Sequence, residues 1–262
     1  MDQSTLTAEL ELAVRLADLA AAISVPAALQ GGTRASFKSD ATPVTEIDLE
    51  VEAVIREALT AERPTDGFLG EESGQTGEGS RLWVVDPIDG TKNLVDGLPM
   101  WSTLIALVED GTPTVGVVDV PLLGESYTAV RGAGAFLTGS QIHVSQVDRM
   151  EEALLLHSSV EEWLDGEHWE AFLSAVRSCR RTRGVADAWG HMLVARGAAE
   201  AVLEHEPAGV WDWTAPQVIL EEAGGLVTTL DGEPPTPGCM LLTSSAAIHP
   251  AILASLHEGQ RR

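Results

Sequence analysis

Leu82-Trp83-Val84-Val85-Asp86-Pro87-Ile88-Asp89-Gly90-Thr91 is the stretch from which the rest of the chain can be placed. Four apolar residues read as a short buried strand, Asp86 stands at its exit, and Pro87 with Gly90 predicts a tight turn immediately after. Both aspartates then face one small volume. Two other segments bring acids that suit the same place, Gly70-Glu71-Glu72 upstream and Trp211-Asp212 far downstream. Of the adjacent glutamates only one can face inward, and Glu71 is the one assigned. Crowded carboxylates repel and raise one another's pKa, a cost that a hard divalent ion bound through oxygen removes. Glu71, Asp86, Asp89 and Asp212 therefore predict a magnesium site. The backbone N–H groups of Gly90 and Thr91 open a short helical turn there, and such a terminus attracts phosphate. Metal beside an anion site implies phosphoryl chemistry.

Composition narrows the partners. The 262 residues, 44% of them hydrophobic, can bury a substantial core. Sixteen basic against forty acidic residues leave a formal charge of -24, which opposes nucleic acid and anionic membrane surfaces. The only cysteines, Cys179 and Cys239, lack CxxC spacing and read as structural thiols of a reducing compartment. With no basic leader at the N-terminus and no apolar stretch read as long enough to span a bilayer, a cytoplasmic location is expected.

Leu12, Leu16, Leu19 and Ile23 recur at helical spacing, with Leu6, Leu10 and Val14 beside them and Glu9, Glu11 and Asp18 outside. A glycine-bearing connection from Gly31 to Pro43 leads to a second helix starting at Thr45 and marked by Ile47, Val51, Val54 or Ile55, and Ala58. Strands are expected at 67–69, 82–85, 102–108, 114–120 and 126–130, with Glu109-Asp110-Gly111 as a type I′ hairpin turn. Helices follow at 163–176 and 187–195, then a strand at 199–203 and a helix opened by Trp211-Asp212. Gly224-Gly225 closes that helix and launches a strand at 226–229. Pattern changes at 139–150, which divides the chain into an N-terminal α/β half (1–140) carrying most of the metal ligands and a C-terminal α/β half (141–262) supplying Asp212, both in one compact unit.

Each site residue has an ordinary structural explanation. Asp48, three residues after Thr45, fits a capping box, and Asp212 could cap its own helix. Arg183 lies in the basic run Arg180-Arg181-Thr182-Arg183, which a solvated strand edge also explains. The seven histidines show no zinc spacing, and no nucleophile elbow, P-loop or complete dinucleotide fingerprint occurs. An aspartyl-phosphate phosphatase would need one residue between its aspartates rather than the two here. A metal-binding scaffold without turnover is the non-enzyme alternative, and the hydroxyl of Thr91 beside Asp89 argues against it.

Gly70-Glu71-Glu72-Ser73, Asp86-Pro87-Ile88-Asp89-Gly90-Thr91-Lys92-Asn93, Trp211-Asp212 and Glu222-Ala223-Gly224-Gly225 resemble the inositol monophosphatase family of magnesium-dependent, lithium-sensitive phosphatases. The resemblance spans nearly the whole chain. It implies an α+β fold layered αβαβα, commonly dimeric. It implies one metal on Glu71, Asp86 and the Ile88 carbonyl, a second on Asp86, Asp89 and Asp212, and a weaker third sharing Glu71, with manganese as a possible substitute. Val44-Thr45-Glu46-Ile47-Asp48 is similar to the family's Val-Thr-x-x-Asp segment, whose acid pairs with the threonine that here is Thr91; the two would orient the attacking water, and the backbone of Gly90 and Thr91 would receive the phosphoryl oxygens. Within the family, Pro43-Val44-Thr45, Trp101-Ser102-Thr103-Leu104-Ile105-Ala106-Leu107 and Ser158-Ser159 with Trp163 look most like the actinobacterial histidinol-phosphatases, in which an arginine and an aspartate four residues apart contact substrate; Arg183 and Asp187 keep that spacing. The family's substrate-contacting glutamate, seven residues before the late aspartate, falls here on His205 between Glu204 and Glu206, and a one-residue shift would restore Glu206. The expected substrate is a small phosphorylated metabolite, histidinol phosphate first and inositol 1-phosphate or a sugar or nucleoside bisphosphate as alternatives.

Overall fold

The computed structural model describes residues 3–30, 35–37, 43–164 and 166–260, with the side chains of Gln3, Ser4, Phe37, Pro43, Glu206 and Pro207 outside the description. The first part of the chain runs α1 (Gln3–Leu29), β1 (Ser36–Phe37), β2 (Pro43–Val44), α2 (Glu46–Glu62), β3 (Gly67–Gly70), β4 (Gly74–Thr76), β5 (Arg81–Asp89) and α3 (Thr91–Asp96). An antiparallel run follows: β6 (Ser102–Glu109), β7 (Thr112–Val120), β8 (Glu125–Val130), β9 (Gly134–Leu137) and β10 (Ser140–Ile142). The remainder is β11 (Leu154–His157), α4 (Val160–Trp163), α5 (Trp169–Ser178), β12 (Arg181–Gly184), α6 (Asp187–Ala195), β13 (Ala201–Ala208), α7 (Val210–Ala223), β14 (Gly225–Thr229), β15 (Cys239–Ser245) and α8 (His249–Gln260).

An eight-stranded sheet is ordered β10-β9-β8-β7-β6-β5-β3-β4 and a five-stranded sheet β12-β11-β13-β15-β14. Strand alternation sorts their side chains into three cores. Trp83, Val85, Ile105 and Val117 pack under α1 and α2; Val84, Leu104, Val118, Leu156, Val202 and Leu241 meet α6 and α7 between the sheets; Leu155, Leu203 and Leu242 pack against α5 and α8. The layering is αβαβα, as the resemblance implied. Gly116 on β7 matters to it, because a Cβ there would stand 2.6 Å from the Ala215 carbonyl, so its absence lets the backbone of α7 lie directly on the sheet.

Several expectations change in detail. In α1 the buried stripe is Leu12 and Leu16 with Ala13, Ala17 and Ala20, whereas Leu19 is 43% exposed. Glu9, expected outside, is 5% exposed because Arg63 and Arg81 pair with its carboxylate. Thr5–Leu29 is, by length and composition, long and apolar enough to cross a membrane, contrary to the sequence reading; its leucine and alanine stripe instead packs on the large sheet. The helix expected at 163–176 is broken into α4 and α5. Asp110 and Gly111 both have positive φ, 48° and 77°, as the type I′ turn requires.

Candidate metal and phosphate site

The tight turn expected after Asp86 is instead a bulged continuation of the strand. β5 runs on to Asp89, with Asp86 opposite Leu104 and Asp89 opposite Ser102, so three steps on β5 answer two on β6. In a regular strand residues three apart point to opposite faces; the extra residue restores parity, and both carboxylates project toward the α7 side. Pro87, which has no N–H to donate, sits within the irregular stretch, and its carbonyl is held by the Thr103 hydroxyl at 2.9 Å.

Around this pair the fold assembles the remaining groups. β3 lies parallel to β5 with Gly70 opposite Val85, which sets Glu71 beside Asp86; the Glu71 N–H donates to the Val85 carbonyl at 3.2 Å. Asp212, in the first turn of α7, accepts the Gly209 N–H. One carboxylate oxygen from each of Asp86, Asp89 and Asp212 lies within 4.8 Å of the others. The Ile88 N–H donates to Asp86 Oδ1 at 3.0 Å; the Ala188 N–H, at the start of α6, and the Ser102 hydroxyl donate to Asp89 Oδ2 at 2.8 and 3.1 Å.

Burial raises the pKa of Asp86 well above the ordinary carboxylate range, and Glu71, Asp89 and Asp212 push it further. Asp89 rises through burial and the charges of Asp187 and Asp212, against the pull of the Ala188 N–H; Asp212 rises through burial and Glu71. The donors are all hard oxygens at mutually repelling distances, a set that fits a divalent cation of the magnesium type.

Asp48 fulfils both of its readings at once. Thr45 caps α2 through a capping box in which Asp48 Oδ2 accepts the Thr45 N–H at 2.9 Å and its hydroxyl, while Asp48 Oδ1 accepts the Thr91 hydroxyl at 3.0 Å. Burial raises the Asp48 pKa despite these hydrogen bonds. The Thr91 Oγ1 also lies 2.9 Å from the Ile88 carbonyl.

A cavity of about 680 Å³ opens on the site, lined by Glu71, Asp86, Ile88, Asp89, the first turn of α3 from Gly90 to Asn93, and Asp212. Asp187, His191, Glu204, Ser158 and Glu162 line the same cavity. Asp187 holds a left-handed φ of 53°, unusual for a non-glycine, and its Oδ2 accepts Asn93 Nδ2 at 2.8 Å. Arg183 is exposed on edge strand β12, donates to the Thr182 carbonyl, and is not among the lining residues. The side chain of Glu206 lies outside the described residues. Glu204 lines the cavity, its Oε2 2.8 Å from His191 Nε2, whose Nδ1 meets the Thr243 hydroxyl at 2.8 Å. The register of β13 shifts between Glu204 and Ala208, where four steps on β13 answer two on β15, so the strand is irregular here. Glu52 is not singled out by the sequence, and His191 reads there only as an ordinary satisfied or exposed imidazole. The signal for Glu52 was its place one turn after Asp48 on the buried face of α2; His191 offered none until β13 was placed.

The inositol monophosphatase family model matches residues 2–261. The histidinol-phosphatase of Streptomyces coelicolor is 40% identical over 95% of this chain and 97% of its own length, and that of Mycobacterium tuberculosis 40% identical over 96% and 98%. Among solved structures, the extragenic suppressor protein suhB from Bartonella henselae superposes with a TM-score of 0.89 at 28% identity, covering 96% of this chain and 99% of that one.

Proposed function

The chain belongs to the inositol monophosphatase family, and from that premise we propose that it is a magnesium-dependent phosphomonoesterase whose substrate is histidinol phosphate. The observation that carries the chemistry is the meeting of Asp86, Asp89 and Asp212 within 4.8 Å beside a hydroxyl anchored on buried Asp48. Glu71, Asp86, the Ile88 carbonyl, Asp89 and Asp212 would hold the cations. When bound, magnesium supplies positive charge that acidifies water and stabilises charge developing on the phosphoryl and leaving oxygens.

The chain's own groups do the rest. Thr91 has one proton and two acceptors within reach; donating it to Asp48 leaves lone pairs that accept a hydrogen bond from water and so orient its oxygen toward phosphorus. The raised pKa of Asp48 suits it to draw that proton on as the water oxygen takes the phosphoryl group. The first turn of α3, with Gly90 and Thr91, faces the cavity where the phosphoryl oxygens would lie. Beyond the metal ligands on the cavity lining, Asp187 and Glu204 present carboxylates that complement the amine and imidazole of histidinol phosphate, whereas a polyol would need only neutral hydrogen bonds. Arg183, exposed and outside the cavity lining, and Glu206 are carried over from the family resemblance as substrate-end residues. Homodimer assembly, manganese substitution and lithium sensitivity are carried over from the family resemblance.

Specificity constants for histidinol phosphate and inositol 1-phosphate at one magnesium concentration test the reading. Histidinol phosphate is expected to win by tenfold or more, about 1.4 kcal/mol in transition-state binding. The reverse preference overturns the substrate and leaves the phosphatase standing. Absence of magnesium-dependent phosphate release from any small phosphomonoester returns the protein to a metal-binding scaffold.

A further inference from the structure

We propose that Glu52 is the positioning residue for Glu71 and thereby governs cation affinity, an inference that rests on the metal-dependent reading above. Glu52 sits on α2 one turn beyond Asp48, and only 3% of its surface is exposed. Its Oε2 accepts the Glu72 N–H at 2.7 Å and its Oε1 the Ser73 N–H at 2.9 Å. With the Glu71 N–H on the Val85 carbonyl, three consecutive amides around Glu71 are tied down, one by the strand that carries Asp86 and two by this carboxylate.

Gly70 marks the same contact from the other side. A Cβ at Gly70 would stand 2.4 Å from Glu52 Oε2 and 2.7 Å from the Phe68 ring, so the glycine of Gly70-Glu71-Glu72 makes room for the carboxylate. Helix α2 therefore delivers two acids to the site's support, Asp48 under Thr91 and Glu52 under Glu71. A carboxylate offers an acceptor to each donor, which the neutral isostere cannot do. Groups that orient ligands in this way typically control metal affinity by about ten- to a hundredfold.

Glu52→Gln keeps the length of the side chain and leaves one oxygen for two N–H donors. We expect Mn²⁺ binding to the substrate-free protein, followed by the electron paramagnetic resonance of the free ion, to weaken by about ten- to a hundredfold. Half-saturating magnesium for turnover should rise in parallel, with kcat at saturating metal within about threefold of wild type. Glu52→Asp, a methylene shorter, should fall between the two. Unchanged Mn²⁺ affinity in either variant, or a kcat loss that added metal does not recover, overturns the inference. Should neither variant fold, hydrogen exchange on the metal-free wild type decides: slow exchange at the Glu72 and Ser73 amides is expected, and fast exchange overturns it. A wild type that binds no Mn²⁺ would sink the metal reading itself, a result distinct from wild-type binding with indifferent variants.

Discussion

Asp86, Asp89 and Asp212 are each gripped by a backbone N–H, from Ile88, Ala188 and Gly209; elsewhere on the cavity lining Asp187 and Glu204 are partly buried and held by side chains, Asn93 and His191. Backbone donors survive substitution of the residues that carry them, whereas side-chain donors disappear with one codon. The phosphoryl end is therefore built to stay constant, and the lining around Asp187 and Glu204 is where related chains can diverge in substrate without disturbing the chemistry.

Asp86→Asn is the strongest test of this contrast. It should cost about a thousandfold or more in kcat/KM, on the order of 4 kcal/mol, in a phosphate-release assay. The metal-free variant should melt no lower than wild type, because a buried, repelled charge has been removed. A variant with near-normal activity would break the phosphoryl end of the comparison. Thr91→Val comes next, with an expected loss of about a hundredfold in kcat and little change in KM, since it removes the hydroxyl that links water to Asp48.

Glu204→Gln should sharpen the comparison from the other side. A charged hydrogen bond to a cationic substrate end is worth about 1.5–3 kcal/mol, so kcat/KM for histidinol phosphate should fall roughly ten- to a hundredfold while inositol 1-phosphate changes little. Equal losses on both substrates would place Glu204 in the shared chemistry.

The last effect is on stability rather than turnover. Asp86, Asp89 and Asp212 have folded-state pKa values raised above the unfolded ones, so the stability they contribute to the metal-free protein is complete below about pH 4 and is lost as pH rises through the folded values. Magnesium should therefore stabilise more at pH 8 than at pH 5. At a hundredfold excess over Kd the gain is about 2.7 kcal/mol, roughly 5–8 °C in Tm by calorimetry. A magnesium shift that is larger at pH 5 would contradict the charge cluster.

Local chemistry made much of this legible in the chain. Thr45 with Asp48 advertises a capping box, Asp110-Gly111 a type I′ turn, and Gly224 a helix end with φ of 92°, each decided within a few residues. The acids Glu71, Asp86, Asp89 and Asp212 could be named because no short-range structural role accounts for all of them together. The fold class followed from the same motifs through resemblance, while the bulge in β5, the break between α4 and α5 and the burial of Glu9 did not, since each answers to a partner distant in sequence.

The amino-acid sequence by itself determined which groups can bind cations and where single helices and hairpins begin, because these depend on neighbours along the chain. Only the tertiary structure decided that a strand bulge rather than a turn brings Asp86 and Asp89 to one face, that Glu204 reaches the cavity beside His191, and that Glu52 lies under the Glu71 turn. Those placements depend on strand register and on how closely α2 and α7 approach the large sheet, and both are settled by packing across the whole molecule.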